Sequence, residues 1–212
     1  MLDKETAEQE RFARIRDPGQ TRQVLLEAAE REIHLHGYQA ASLSQIITEA
    51  GVTKGALYHH FANKQALGFA VFDEIWAPQL RSIWTEPLLG GKGNPLQVLI
   101  DTIAKAGDSM QEEDLALGCP INNLAQEMSP INEGFRIRIN RLLEEWRDAI
   151  AVALRRGQAE GLVTRRVAAE TAAALLVASF EGCLGMAKNA QSRELLARCS
   201  GGVTDYLETL RA

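Results

Sequence analysis

The most restrictive feature of this chain is a pair of very short helices on either side of a glycine. Ser42 and Gln45 form a capping-box pattern, in which a hydroxyl and a side chain three residues later satisfy exposed backbone N–H groups. Leu43, Ile46, Ile47 and Ala50 follow at i, i+3, i+4 and i+7, the spacing of one helical face. Gly51 breaks this helix after about two turns, and Thr53 can cap the next, which ends near Phe61. Helices of this length are marginal alone and cannot bury enough apolar surface. They need a third helix across them. Residues 21–36 supply it, with Thr21 as the cap, Val24, Leu25, Ala28, Ala29 and Ile33 on one face, and Gly37 as the stop.

Three helices so arranged are the geometry that lays a recognition helix into the major groove of DNA. At about 100° per residue, placing Leu57 inward brings Phe61 into the core and turns Gly55 and His59 away, flanked by Ala56 and Tyr58. The candidate DNA-contacting residues are Ser42, Ser44, Thr53, Lys54, Gly55, Ala56, Tyr58, His59, His60 and Lys64. Gly55 removes a side chain where the groove floor would approach. Lys54 lies in a first helical turn, and Lys64 in the first turn of the next helix behind the cap Asn63, where free N–H groups favour phosphate. The whole chain carries a net charge of −5, which advertises no nucleic acid. Locally the balance differs: residues 53–64 hold two lysines, two histidines and no acid.

The remainder reads as helix. Residues 1–20 have the composition of a mobile charged arm ending in the turn Asp17-Pro18-Gly19. The expected division is a DNA-binding domain over 21–66 and a regulatory and dimerisation domain over 67–212. A fourth helix runs from Lys64 to about Leu80, a loop covers 87–95, and a fifth helix covers 95–110. Gly118 and Pro120 break the chain before another short helix. Ser129 and Pro130 then predict the start of a long helix with Phe135, Ile139, Leu142, Leu143, Trp146, Ile150 and Leu154 in one stripe, ended by Gly157 and Gly161. The last two helices fall at about 167–189 and 192–211.

Several function classes are excluded by pattern. The N-terminus is polar, unlike a signal peptide, and the most apolar window, 167–187, is interrupted by Glu170 and Glu181, so no membrane span is expected. Three cysteines, Cys119, Cys183 and Cys199, are too few and too widely spaced for a disulfide framework or a zinc site, which favours a reducing cytoplasm. Cys183 and Cys199 lie on apolar stripes and read as core. No nucleophile, metal or phosphate-loop motif occurs; Gly90-Gly91-Lys92-Gly93 lacks the Ser/Thr after Lys. No enzyme activity, cofactor or metal is expected, and the remaining rival is a helical adaptor.

The run Ala41-Ser42-Leu43-Ser44-Gln45-Ile46-Ile47-Thr48-Glu49-Ala50-Gly51-Val52-Thr53-Lys54-Gly55-Ala56-Leu57-Tyr58-His59-His60-Phe61-Ala62-Asn63-Lys64, preceded by Ala28-Ala29 and Gly37-Tyr38, resembles the N-terminal signature of the TetR family of bacterial regulators. The likeness spans residues 21–70. Ala41 stands where that family often has a phosphate-contacting threonine, and Ile33 where it often has phenylalanine. The resemblance implies an all-α protein, a three-helix head followed by a helical-bundle domain that dimerises through its last two helices, about 167–211. It further implies binding to double-stranded DNA at a palindromic operator, and repression relieved by a small-molecule inducer. Residues 172–180, apolar nearly all round, and the stripe Leu195, Leu196, Cys199, Val203, Tyr206, Leu207 and Leu210 agree with such a body. Candidate inducer contacts are Trp84, Met110, Cys119, Met128, Trp146 and Phe180, with Met186 beside them. The segment 117–127 resembles one in a TetR-like subgroup that uses a cysteine to sense electrophiles or oxidants. That resemblance makes Cys119 the basis of an alternative, a thiol-based sensor, with the thiol at a helix start where N–H groups favour thiolate.

Overall fold

A computed structural model describes residues 18–90 and 93–212; most of the expected N-terminal arm lies outside the described residues. The chain divides into two compact units between Trp76 and Ala77. The first contains α1 (Pro18–His36), α2 (Leu43–Ala50), α3 (Lys54–His60), α4 (Lys64–Val71) and a π-helical turn, Phe72–Trp76. Helix α1 begins at Pro18 rather than being capped by Thr21. A proline fits the first turn because its φ is preset and its missing N–H would have no partner there. The division falls beyond the 66/67 boundary read from sequence because Phe72 and Trp76 are fully buried. Trp76 Nε1 also donates to Glu30 of α1 at 3.2 Å, so the π-helical turn completes the first core.

The three caps read from sequence hold the short helices in place. Ser42 accepts from Gln45 N, Thr53 from Ala56 N and Asn63 from Ala66 N. Gly37 (φ 81°) and Gly51 (φ 66°) end α1 and α2 in the left-handed region that glycine adopts without steric cost.

The second unit contains α5 (Ala77–Leu80), a π-helical turn (Arg81–Thr85), α6 (Glu86–Leu89), α7 (Pro95–Ser109), α8 (Glu112–Leu117), α9 (Pro120–Met128), α10 (Glu133–Ala159), α11 (Ala169–Ala190) and α12 (Arg193–Thr209). No strand occurs among the described residues beyond an isolated bridge between Val163 and Arg211. Helix α10 is the axis of this unit. Phe135, Ile139, Leu142, Trp146, Ile150 and Leu154 are all buried, at successive turns of one face. It packs on α11, which packs in turn on α12.

Further boundaries differ from the sequence reading. The loop expected over 87–95 is helical at its start, where Glu86–Leu89 forms α6 with Pro87 in its first turn and Leu88 buried. Helix α10 is capped by Asn132, which accepts from Phe135 N, and Ser129 instead closes α9. Gly157 does not end α10 but lies inside it. A Cβ there would meet Val163 Cγ2 at 2.5 Å and Pro95 Cγ at 2.8 Å, so the glycine is required by close packing. Helix α11 is, by length and composition alone, apolar enough to cross a membrane, against the reading from its two glutamates. Its inner residues Ala172, Ala173, Leu176, Val177, Phe180 and Ala187 are packed in the core of this unit.

Candidate functional site

Helix α3 presents the most distinctive surface of the first unit. Leu57 (0% exposed) and Phe61 (3%) anchor its inner side. Thr53, Lys54, Gly55, Tyr58 and His59 are exposed, and Ala56 and His60 are half-buried. Lys54 Nζ lies 6.0 Å from the centre of the Tyr58 ring, a cation–π distance. The rings of His59 and His60 meet edge to face at 5.2 Å. Partial burial, then the charges of His59 and Arg22, lower the His60 pKa, favouring a neutral imidazole. Ser42 and Ser44, at the start of α2, share a hydroxyl hydrogen bond of 2.7 Å. Lys64 Nζ donates to the Gln39 carbonyl at 2.9 Å and lies over the Tyr38 ring. This hydrogen bond ties α4 to the turn after α1.

Two residues that hold this surface were not singled out from sequence. Glu32, buried on α1, accepts from Ser42 N at 2.9 Å and so fixes where α2 starts. Its signal was available: it follows Leu25, Ala28 and Ala29 on the apolar face, where an acid needs a partner. Arg22 makes a two-pronged ion pair with Glu74 and lies 5.0 Å from the centre of the Phe61 ring. Nothing in the sequence links residues 22 and 74.

In the second unit three of the candidate ligand residues meet. Trp84 lies 5.1 Å from Trp146 and 4.7 Å from Phe180 between ring centres, and Trp146 and Phe180 are near parallel at 6.1 Å. Cys119 caps α9, accepting from Asn122 N, and its thiol donates to Glu181 at 3.4 Å, the residue after Phe180. Met128 is buried on α9, while Met110 lies at the end of α7, where its carbonyl accepts from Arg193. Met186 is 55% exposed on the outer side of α11.

Residues 25–71 match the profile of bacterial regulatory proteins of the tetR family, and residues 95–201 match that of the LmrA/YxaF-like transcriptional regulator C-terminal domain. The chain belongs to the TetR family. It is 29% identical to the transcriptional repressor DhaR of Mycobacterium sp. strain GP1, over 82% of this chain and 86% of that one. It is 32% identical to the A-factor receptor protein of Streptomyces griseus, over 77% of this chain and 53% of that longer one. A TetR regulator from Chloroflexus aurantiacus superposes with a TM-score of 0.80 at 26% identity, covering 92% of this chain and 97% of its own. This TetR-family protein is thus an all-α DNA-binding transcriptional regulator, in a family whose members bind DNA and act as dimers.

The cysteines of this regulator depart from the sequence reading. Cys183 and Cys199 form a disulfide between α11 and α12, with Cα atoms 5.5 Å apart. They were expected to be unpaired core residues. The antiparallel return of α12 along α11 brings residues 16 apart in sequence face to face. Cys119 is the free cysteine among the described residues. Burial and then the Glu181 carboxyl push its pKa far above that of an ordinary thiol, outweighing the Asn122 and Ile121 N–H groups of the helix start. The local expectation of thiolate at a helix N-terminus therefore fails here: a low-dielectric site beside a carboxyl disfavours a second negative charge.

The stripe read as a dimer face also lies elsewhere. Leu196, Val203, Leu207 and Leu210 are buried within the unit itself. The outer sides of α11 and α12 instead expose Ala174, Leu175, Ala178, Gly182, Gly185, Met186, Gly201 and Gly202. A Cβ at any of these four glycines would meet nothing within 4 Å.

Proposed function

We propose that this regulator is a cytoplasmic repressor that binds a near-palindromic operator as a homodimer and leaves it when a small molecule occupies the second unit. The observation that carries the reading is the face of α3: an exposed Lys54, Gly55, Tyr58 and His59 over a buried Leu57 and Phe61. Gly55 lets the backbone approach the groove floor, while Tyr58 and His59 offer an aromatic face and hydrogen-bonding atoms to base edges. Lys54 and Lys64, with Ser42, Ser44, Thr53, Ala56 and His60 around them, border the groove and contact phosphates. Residues of the first unit serve as the DNA-binding domain and those of the second as the regulatory and dimerisation domain.

The dimer forms through the outer faces of α11 and α12. A glycine inside a helix costs about 1 kcal/mol relative to alanine, and four of them with open space outside suit the close approach of a second copy. The names of two relatives support the rest: DhaR is a repressor and the A-factor protein a receptor. The inducer acts by binding the DNA-incompetent arrangement better than the competent one, which lowers operator affinity by that difference alone. The test is a salt-dependent gel shift on DNA from the protein's own promoter. Specific retardation that weakens steeply with salt is expected, and no retardation at low salt overturns the reading.

A further inference from the structure

Among the described residues, four buried side-chain polar atoms have no hydrogen-bond partner: Thr85 Oγ1, Trp146 Nε1, Arg156 Nε and Glu181 Oε2. Three of the four belong to the aromatic trio or to its immediate sequence neighbours. Trp146 is itself one of the rings, Thr85 follows Trp84, and Glu181 follows Phe180. An orphaned polar group costs a packed core stability, and a small-molecule site is built of apolar walls with a few polar atoms; the indole N–H of Trp146 is such an atom on the trio itself.

The three rings are not equivalent. Trp146 (1% exposed) and Phe180 (5%) are fixed in the core and nearly parallel, with 8° between their planes. Trp84 is only half-buried, and it sits in the π-helical turn Arg81–Thr85, a widened backbone that recurs at functional sites. We propose that Trp146 and Phe180 bind a flat aromatic amine that carries an oxygen acceptor and enters by displacing the Trp84 ring. This deepens the inducer reading and rests on it. The ammonium pairs with Glu181, whose Oε1 already accepts the Cys119 thiol while Oε2 is unused. Trp146 Nε1 and Thr85 Oγ1 donate to the ligand's oxygen. The chemistry selects against the other charge classes: an anion would face the Glu181 carboxyl, and a neutral hydrocarbon would leave all three polar atoms unpaired. Burial raises the Glu181 pKa to about 7 in the unliganded protein, and a cation beside it restores the carboxylate that pairs with that cation.

The test uses the full-length protein without DNA and three probes on one ring system that carries a methoxy oxygen: methoxynaphthylmethylamine, methoxynaphthalene and methoxynaphthylacetate, titrated by calorimetry. The amine is expected to bind on the order of tenfold to a hundredfold more tightly than methoxynaphthalene, the increment of a hydrogen bond to a charged group, with methoxynaphthylacetate weakest. Glu181→Gln is expected to abolish the preference and leave methoxynaphthalene affinity unchanged. Equal affinity for the three probes, no binding of any, or a preference that survives Glu181→Gln overturns the proposal. The wild-type series decides the matter even without the variant. Operator binding is then measured with saturating amine. Tight amine binding without operator release leaves this site standing and sinks the inducer reading. Operator release by all three probes alike does the reverse.

Discussion

At the scale of single residues, glycines and one glutamate carry the sharpest consequences. Gly157→Ala places a methyl against Val163 and Pro95, and is expected to lower unfolding free energy by about 1–3 kcal/mol, the cost of overpacking a closed interior. Gly107→Ala, in α7 with nothing near its Cβ position, should instead raise it by up to about 1 kcal/mol. Denaturant midpoints of the two variants check both signs. Glu181 has a folded pKa raised to about 7 from an ordinary 4.5. The folded state therefore holds its proton more tightly than the unfolded chain. The stability linked to that proton is full below the unfolded pKa and is lost as pH rises through about 7. Glu181→Gln should remove this loss, so the variant gains over wild type at pH 8 by an amount on the order of 3 kcal/mol and gains little at pH 4. Parallel stability–pH curves for the two proteins would refute the assignment. On the DNA face, Tyr58→Ala should reduce specific operator affinity by about tenfold to a hundredfold and leave non-specific binding unchanged. Lys54→Ala should weaken all sequences alike and reduce the salt slope by about one.

At the scale of elements, the structure is a set of helices whose ends are set locally and whose pairing is set at a distance. Ser42, Thr53 and Asn63 each hold the start of a helix too short to persist alone. The pairing of α11 with α12 is held covalently by Cys183–Cys199. Closing a loop of that length restricts the unfolded chain by about 3 kcal/mol in the chain-entropy account. Cys183→Ser with Cys199→Ser should therefore lower the thermal midpoint measured without reductant, and a dithiol should lower the wild-type midpoint toward that of the variant. No difference between the reduced and oxidised wild type would show that the bond adds nothing to the helix pair. Cys119, a half-buried thiol held against Glu181, lies where the start of α9 meets α11. Cys119→Ser is expected to leave operator release by a mild electrophile unchanged, measured by anisotropy of labelled DNA.

At the scale of the whole molecule, the outer sides of α11 and α12 decide the assembly. Ala178 is exposed among the small residues of that face. Ala178→Arg should convert the dimer to a folded monomer, read by sedimentation with unchanged helicity, and should lose cooperative operator binding. Leu207 would be the wrong place for such a test, since it is fully buried in its own unit and a charge there would unfold it. In the dimer the two α3 helices are expected about 34–36 Å apart, one turn of DNA, so protected half-sites should repeat at that interval in a footprint. A folded monomer that binds the operator at wild-type affinity would end the dimer proposal.

What the sequence determined by itself was everything governed by neighbours along the chain. Periodicity placed the buried faces of α1, α2, α3 and α10, and Gly37 and Gly51 marked helix ends by their left-handed backbone. The caps at Ser42, Thr53 and Asn63 were legible because a hydroxyl or amide satisfies an N–H only two or three residues away. The exposed face of α3 followed from the helical repeat once Leu57 was placed inward. Tertiary structure decided whatever depends on residues far apart in sequence. Gly157 looked like a stop until Val163 and Pro95 came to lie against it. Leu207 looked like a partner-facing stripe until α12 turned that side toward its own core. Cys183 met Cys199, and Cys119 met Glu181, only because helices returned alongside one another. A periodic pattern reports that a face is buried; only the packing of the elements specifies what covers it.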